Sequence, residues 1–297
     1  MTNRIMVGMA GLLLAVIVQA QSGISIKSTE VVPGLYMLEG EGGFAGGNMG
    51  LMVGNDGTVL IDDGIEPVAP ILLDAIEQHT GRNIDFVINT HVHGDHIGAN
   101  KALHLSGATV VAHDNLRKRL IEKGWDTPAG TRPASKEELP EVTFSDSMTF
   151  HLNDHEAYVF HLVKAHTDGD SAIHFRDIDV IHAGDIFFNG LFPFIDLDSG
   201  GSVAGYQAAQ QRIINMAGPD TIIIPGHGPL SNREELQVAL DMLTDAEARV
   251  KALVDAGQSE DEVVASNPLQ IYHNDWNWSF ITTERMTRTL YRSLSSQ

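Results

Sequence analysis

The chain opens on an apolar stretch that has no period. From Ile5 to Val18 no charged residue interrupts it, and Arg4 is the only charge before Gln21. A run of about 14 residues falls short of the roughly 20 that a bilayer-spanning helix needs. It closes on Val18-Gln19-Ala20, a small-residue pattern suited to a signal peptidase. Residues 1–20 are therefore expected to be a cleaved export signal and 21–297 one mature domain, with no stable membrane insertion after cleavage.

Beyond that point the pattern changes to short apolar runs separated by polar turns. Strand-like runs lie at Val31–Leu38, Met49–Val53, Thr58–Ile61, Asp85–Thr90 and Thr109–Ala112. Between them, Ile71, Leu72, Ala75 and Ile76 keep helical spacing from Pro67 to Gly81, and Ala102 and Leu103 mark a second helix. Strands alternating with helices predict a largely parallel, buried sheet. After a loop carrying Pro128, Pro133 and Pro140, strand-like runs return at 158–162, 171–175, 179–181 and 221–224. The last quarter is helical. Ser231-x-x-Glu234 and Ser259-x-x-Glu262 read as capping boxes, and Leu236, Leu240 and Leu243 continue the first of them towards a stop at Gly257. Asn274–Trp278 breaks the helices and is expected to set its indoles against the body of the domain, before a final amphipathic helix from Ser279.

Composition narrows the function. With 43% hydrophobic and 20% charged residues the chain can bury a core. Lys+Arg 19 against Asp+Glu 39 gives a formal charge of −20, a field that repels phosphate backbones, so no nucleic-acid partner is expected. There is no cysteine, which excludes disulfides, thiolate metal sites and a cysteine nucleophile. Any metal must be held by imidazoles and carboxylates. An exported chain without disulfides fits a periplasmic or secreted location.

The chemistry concentrates at strand ends. His91-Val-His93-Gly-Asp95-His96 follows the strand that ends at Asn89-Thr90. Residues two apart on an extended chain point the same way, so His91 and His93 can grip one ion, while Gly94 lets the chain turn so that Asp95 and His96 face a second position. His166, Asp185 and His227 each follow another strand in a glycine-bearing loop, where ligands of open α/β sheets gather. The glycine-rich segment Glu39–Asn48 carries Phe44 and reads either as a flap over an apolar substrate or as a loose turn. Phe187 and Phe188, with Phe192 and Phe194 beyond them, read as an apolar pocket wall or as core, and Asn189 as a donor to substrate or as a turn residue. His182, three residues before Asp185, is a candidate for a group behind the ligands.

His91-x-His93-x-Asp95-His96 with His166, Asp185 and His227 resembles the pattern of the metallo-β-lactamase superfamily, and Leu60-Ile-Asp62-x-Gly64 resembles that family's first motif. The resemblance implies a four-layer αββα sandwich with two metal ions at one edge. It gives His91, His93 and His166 to the first ion and Asp95, His96 and His227 to the second. Asp185 would bridge them, and Asp62 would orient a ligand histidine. This thiolate-free donor set suits Zn²⁺, with Fe or Mn also tolerated. Two ions sharing a water supply hydroxide at neutral pH, and Asp95, with a free oxygen, can shuttle its proton.

The expected function is a secreted dizinc hydrolase that opens an amide, lactone or ester in a small molecule bearing an apolar group, with β-lactam hydrolysis as a main or side activity. Alternatives are a phosphodiester or sulfate-ester hydrolase on the same metals and a catalytically silent metal-binding protein. Departures from particular branches narrow this further. Antibiotic-hydrolysing branches usually carry Cys or Ser where Asp185 stands, and His166-Thr-Asp-Gly-Asp170 lacks the Thr-Pro-Gly-His continuation of glyoxalase-II-type thioesterases.

Overall fold

A computed structural model describes residues 23–127 and 130–295. The export-signal reading of residues 1–20 lies outside the described residues.

Two sheets stand face to face. The first orders its strands Ser25–Val32, Leu35–Glu41, Met49–Val53, Thr58–Ile61, Phe86–Ile88, Thr109–His113 and Val142–Phe144. The second orders Ser147–Leu152, His155–Leu162, Asp170–Phe175, Val180–Phe188, Ile222–His227 and Ser231–Asn232. Period-two alternation builds the layers. Leu35, Met37, Val59 and Ile61 face inward and meet Val159, Ile173, Phe175 and Ile224 of the second sheet in a shared core. Leu38, Leu51 and Leu60 face outward and pack on Leu72 and Ile76 of the helix Ala69–Thr80. On the far side, Phe160, Ala172 and Ile181 pack on Ile213 of the helix Val203–Met216 and on Leu236 and Leu240 of the helix Arg233–Asp255. The result is the helix–sheet–sheet–helix sandwich that the resemblance implies.

Several local expectations need correction. The sheets are mixed: parallel pairing runs through Thr58–Ile61, Phe86–Ile88, Thr109–His113 and Val142–Phe144 and joins Val180–Phe188 to Ile222–His227, while the other ladders are antiparallel. The run Val31–Leu38 is two strands, because Gly34 at φ +83 turns the chain between them. The first capping box moves by one residue: Asn232 caps the helix by accepting from the Glu235 N–H, and Ser231 donates instead to the Glu235 carboxylate. Ser259 and Glu262 do form a reciprocal capping box. Among the described residues no helix is long and apolar enough to cross a membrane.

The proline-bearing loop is pinned by Glu138, whose carboxylate accepts from both terminal nitrogens of Arg132 (2.8 and 2.5 Å) and from the Ser135 N–H (2.6 Å). The Arg132 guanidinium holds this carboxyl below the usual range, against the opposing push of burial. A depressed carboxyl stabilises the fold above its unfolded pKa and loses that contribution as pH falls through its folded value. Glu138→Gln should therefore lower stability by roughly 1 kcal/mol at pH 7. The gap from wild type should shrink as urea unfolding is repeated at progressively acid pH.

Candidate metal centre

The functional side chains come from the ends of five strands. Asp62 follows Thr58–Ile61, His91 to His96 follow Phe86–Ile88, and His166 follows His155–Leu162; Asp185 lies in the second half of the strand Val180–Phe188 and His227 ends the strand Ile222–His227. All seven residues expected as ligands meet. His91, His93, His166 and Asp185 each offer an atom within 4.8 Å of one another, and so do Asp95, His96 and His227. Asp185 spans the groups: its Oδ2 lies 3.6 Å from His91 Nε2 and 3.4 Å from His166 Nε2, its Oδ1 3.1 Å from His96 Nε2 and 3.5 Å from His227 Nε2. Such closeness requires glycine opposite. A Cβ at Gly226 would stand 2.0 Å from Asp185 Oδ1, and one at Gly47 2.2 Å from His96 Cε1.

The hydrogen bonds behind the histidines decide which nitrogen carries the proton. Asp62 is wholly buried and accepts from Thr90 N (2.7 Å), Thr90 Oγ1 (2.8 Å) and His96 Nδ1 (2.8 Å). With its hydroxyl hydrogen given to Asp62, Thr90 Oγ1 accepts from His91 Nδ1 at 3.0 Å. His166 Nδ1 donates to the Phe194 carbonyl at 2.7 Å, and His93 Nε2 to Asp196 Oδ2 at 2.9 Å. Each ring thus presents a bare lone pair on its other nitrogen, and the lone pairs converge.

This arrangement fits a cation. His93 Nδ1 and His166 Nε2 face each other at 2.7 Å with no proton between them once their other nitrogens have donated. His91 Nε2 and Asp185 Oδ1 are buried without a hydrogen-bond partner, a cost that a positive ion would remove. Charge separates the two groups. Burial and the neighbouring imidazoles hold His91 well below the usual histidine range, and burial with His93 brings His166 down to about 3, so both stay neutral donors. In the second group burial also opposes charge on His96 and His227. The carboxylates override it: Asp185 and Asp95 raise His96 well above its usual range and His227 to about 9. Burial would raise Asp95, yet His96 and His227 bring it down to about 2. The donors are imidazole nitrogens and carboxylate oxygens alone, the set that suits zinc or a neighbouring divalent ion.

A family model described as the metallo-beta-lactamase superfamily matches residues 42–241. The chain belongs to the metallo-beta-lactamase superfamily. It is 26% identical over 150 residues to a probable metallo-hydrolase, YqgX, of Bacillus subtilis (48% of this chain, 68% of the relative), and 23% identical over 190 residues to a type 2 metallo-beta-lactamase of Bacillus cereus (63% and 69%). Among solved structures, a metallo-beta-lactamase from Pontibacter korlensis superposes with TM-score 0.61 at 19% identity, covering 74% of this chain and 100% of that one, which bears on the fold alone. With the superfamily comes the enzyme class: the chain is a metal-dependent hydrolase.

Over the centre of this superfamily member lies a cavity of about 620 Å³. The glycine-rich segment is anchored and carries Phe44 to the cavity rim. Gly47 N donates to Asp95 O, Asn48 N to Gly226 O, and Asn48 Nδ2 to the Pro225 and Gly228 carbonyls. Phe44 itself is 58% exposed, with its ring parallel to that of His227 at 6.4 Å. Phe188 lines the cavity, stacked on His227 at 4.9 Å. Phe187 and Asn189 are not on the wall, correcting the expectation for both. Strand alternation turns Phe187 away from Phe188 into the core beneath the helices, and Asn189 points its amide at the Pro229 carbonyl and Glu235. His182 is fully buried, accepts from the Gly184 N–H, and is held by burial down to about 4.

Two features escaped sequence reasoning. Asp196 orients His93 from 103 residues away, where no local spacing could reveal it. Its carboxylate is itself fixed by the Asp198 and Ser199 N–H groups. Burial would raise its pKa, but the His93 and Ser199 bonds carry it below the usual carboxylate range. Asp196→Ala should weaken metal binding by about 10–100-fold while Asp196→Asn, which can still accept from His93, loses less; competition with a chromogenic chelator measures both. The other feature is the part of the far wall built by Trp278, Ser279 and Phe280, which stands beside Phe194, a residue that the sequence did offer for the wall.

Proposed function

We propose that the chain is an exported dizinc hydrolase that opens an ester, lactone or amide bond in a small molecule carrying an apolar group, with β-lactams among the bonds it can cleave. The observation that carries this reading is the pair of donor groups joined through Asp185 at the floor of a largely apolar cavity. Zinc ions bound there would lower the pKa of water towards 7 and polarise the scissile carbonyl.

The chain's own residues do the rest. Asp62, Thr90, Asp196 and the Phe194 carbonyl fix four imidazoles with their lone pairs inward, so no reorganisation is left for the moment of reaction. Asp95 lines the cavity with a carboxylate that stays ionised near neutrality. It can take a proton from the attacking water and, being a weak base, release it to the leaving atom. Phe44 and Phe188 exclude water around the scissile bond. Export is proposed from the apolar run Ile5–Val18 and the small residues after it, and predicts a mature chain that starts at Gln21 by mass spectrometry.

The test is metal content measured alongside a substrate panel of nitrocefin, a simple lactone, a p-nitrophenyl ester and bis-p-nitrophenyl phosphate. Two zincs per chain with chelator-sensitive cleavage of one of the first three supports the proposal. Cleavage of the phosphodiester alone, or two zincs with no turnover at all, overturns it.

A further inference from the structure

Resting on the hydrolase reading above, we infer that the segment Trp276–Ile281 selects the substrate, and that the group it seats is an uncharged aromatic ring next to the scissile bond. The segment lies beyond residues 42–241, the span matched by the family model. Its rings complete an arc around the metal-ligating groups. Phe188 stands 6.1 Å from Trp278, Trp278 meets Phe280 at 5.5 Å, and Phe280 meets Phe194 at 5.3 Å. The arc ends on ligand histidines at both sides, with Phe188 stacked on His227 at 4.9 Å and Phe194 on His93 at 5.4 Å. An occupant of the arc therefore lies directly beside the reacting centre.

The wall is held, not loosely draped. Trp278 Nε1 donates to the Phe192 carbonyl (2.9 Å), and Phe192 N donates to the Trp276 carbonyl (2.8 Å). Thr283 N caps onto Asn277 Oδ1 (2.9 Å). Arg285 braces the segment from behind: its guanidinium donates to the Phe280 carbonyl at 2.9 Å and lies 4.2 Å from the Phe280 ring centroid and 5.0 Å from that of Phe194. Phe280 still leaves 45% of its surface exposed, and Phe44 opposite leaves 58%. Two large apolar side chains held at the mouth of a cavity await an apolar occupant.

Charge sets the rest of the specificity. Among the described residues no lysine or arginine lines the cavity, and its charged groups sit at the floor with Asp95 and Asp185. A carboxylate or sulfate pressed against Trp278 and Phe280 would lose its water, and the nearest side-chain cation, Arg285, lies outside the cavity lining and is already engaged by the Phe280 carbonyl and the Phe280 and Phe194 rings. A neutral ring loses nothing polar there, and the rings of the arc stand at 41°, 62° and 73° to one another, offering both edges and faces to it. In the reaction proposed, the oxygen of water bonds to the carbonyl carbon, the bond from that carbon to the leaving oxygen breaks, and the proton from water ends on that oxygen.

The test compares γ-phenyl-γ-butyrolactone with γ-methyl-γ-butyrolactone on the zinc-loaded full chain. The phenyl lactone should be preferred by roughly tenfold or more in kcat/KM, mostly through KM, and Phe280→Ala and Trp278→Ala should each collapse that ratio by about tenfold. Equal use of the two lactones, or variants that slow both by the same factor, overturns the inference. A second measurement does not depend on turnover: saturation-transfer NMR with 4-phenyl-2-butanone, which has no hydrolysable bond. Binding to the wild type that is lost in Phe280→Ala, an exposed position where folding is not at stake, upholds the aromatic site even if neither lactone is cleaved, in which case only the hydrolase reading falls. No binding of the ketone to the zinc-loaded wild type overturns the inference while leaving the hydrolase reading to its own panel.

Discussion

Asp185→Ala is expected to leave a folded chain whose turnover has fallen by on the order of 10³-fold or more. Asp185 belongs to the first donor group and reaches the second, with Oδ2 turned to His91 and His166 and Oδ1 to His96 and His227. On the two-ion reading proposed above, its loss would remove a ligand from both ions at once and the negative charge that would hold them near each other. Folding should survive, because the tie from this position to the neighbouring helix is made by the backbone. Asp185 Oδ1 has no hydrogen-bond partner, and the bond that ties this position to the helix Val203–Met216 runs from Tyr206 Oη to the backbone carbonyl, at 2.9 Å, which alanine keeps. Circular dichroism should therefore match wild type while metal content and activity fall together. Removing the metal with a chelator should reproduce the activity loss in the wild type, and adding zinc back should reverse it there but not in the variant. A variant that keeps wild-type turnover would mean that the two groups do not act as one centre.

How much of this was legible in the sequence depended on range. His91, His93, Asp95 and His96 could be placed because four ligand-type side chains fall within six residues just beyond the strand Phe86–Ile88, although the chain there runs through turns and not in extended alternation. His166, Asp185 and His227 were found as polar residues at the ends of apolar runs, where the sheets deliver their ligands. The glycine-rich segment left two readings open, and the backbone bonds from Gly47 to Asp95 and from Asn48 to Gly226 that anchor it join residues far apart in the chain. Asp196 and the Trp278–Phe280 wall escaped for the same reason, since a side chain that acts across 100 residues leaves no local pattern. The mixed sheets escaped because an apolar run reads alike in parallel and antiparallel pairing when both faces are covered. Phe187 and Phe188 show the finer limit: both are apolar and adjacent, and only the register of Val180–Phe188 sends one to the core and the other to the cavity.

Asp62 gives the sharpest separation of fold from chemistry, because two substitutions there should fail differently. Asp62→Ala strands Thr90 N, Thr90 Oγ1 and His96 Nδ1 in a site with no exposed surface. Each unsatisfied donor costs about 1–3 kcal/mol, a sum comparable with the roughly 5–15 kcal/mol that holds a domain together. Alanine must also adopt φ +57, a left-handed conformation it tolerates poorly. The chain should unfold well below the wild-type temperature or accumulate insolubly. Asp62→Asn keeps the shape, tolerates that φ, and can still accept from Thr90 N through its oxygen. Its amide, however, stands where Oδ2 stood and must donate to His96 Nδ1. His96 is then forced to carry its proton on Nε2, the atom that faces Asp95, His227 and Asp185. A protonated Nε2 cannot ligate, so on the two-ion reading the folded asparagine variant should lose affinity for the ion at His96 by about 10–100-fold; the other ion should be weakened less, because Thr90 Oγ1 loses the acceptor that sets its bond to His91 while His93 and His166 still take their tautomers from Asp196 and Phe194. Zinc content after dialysis, read beside thermal unfolding, distinguishes the two failures. An asparagine variant that retains both ions at wild-type affinity would show that His96 does not take its tautomer from this carboxylate.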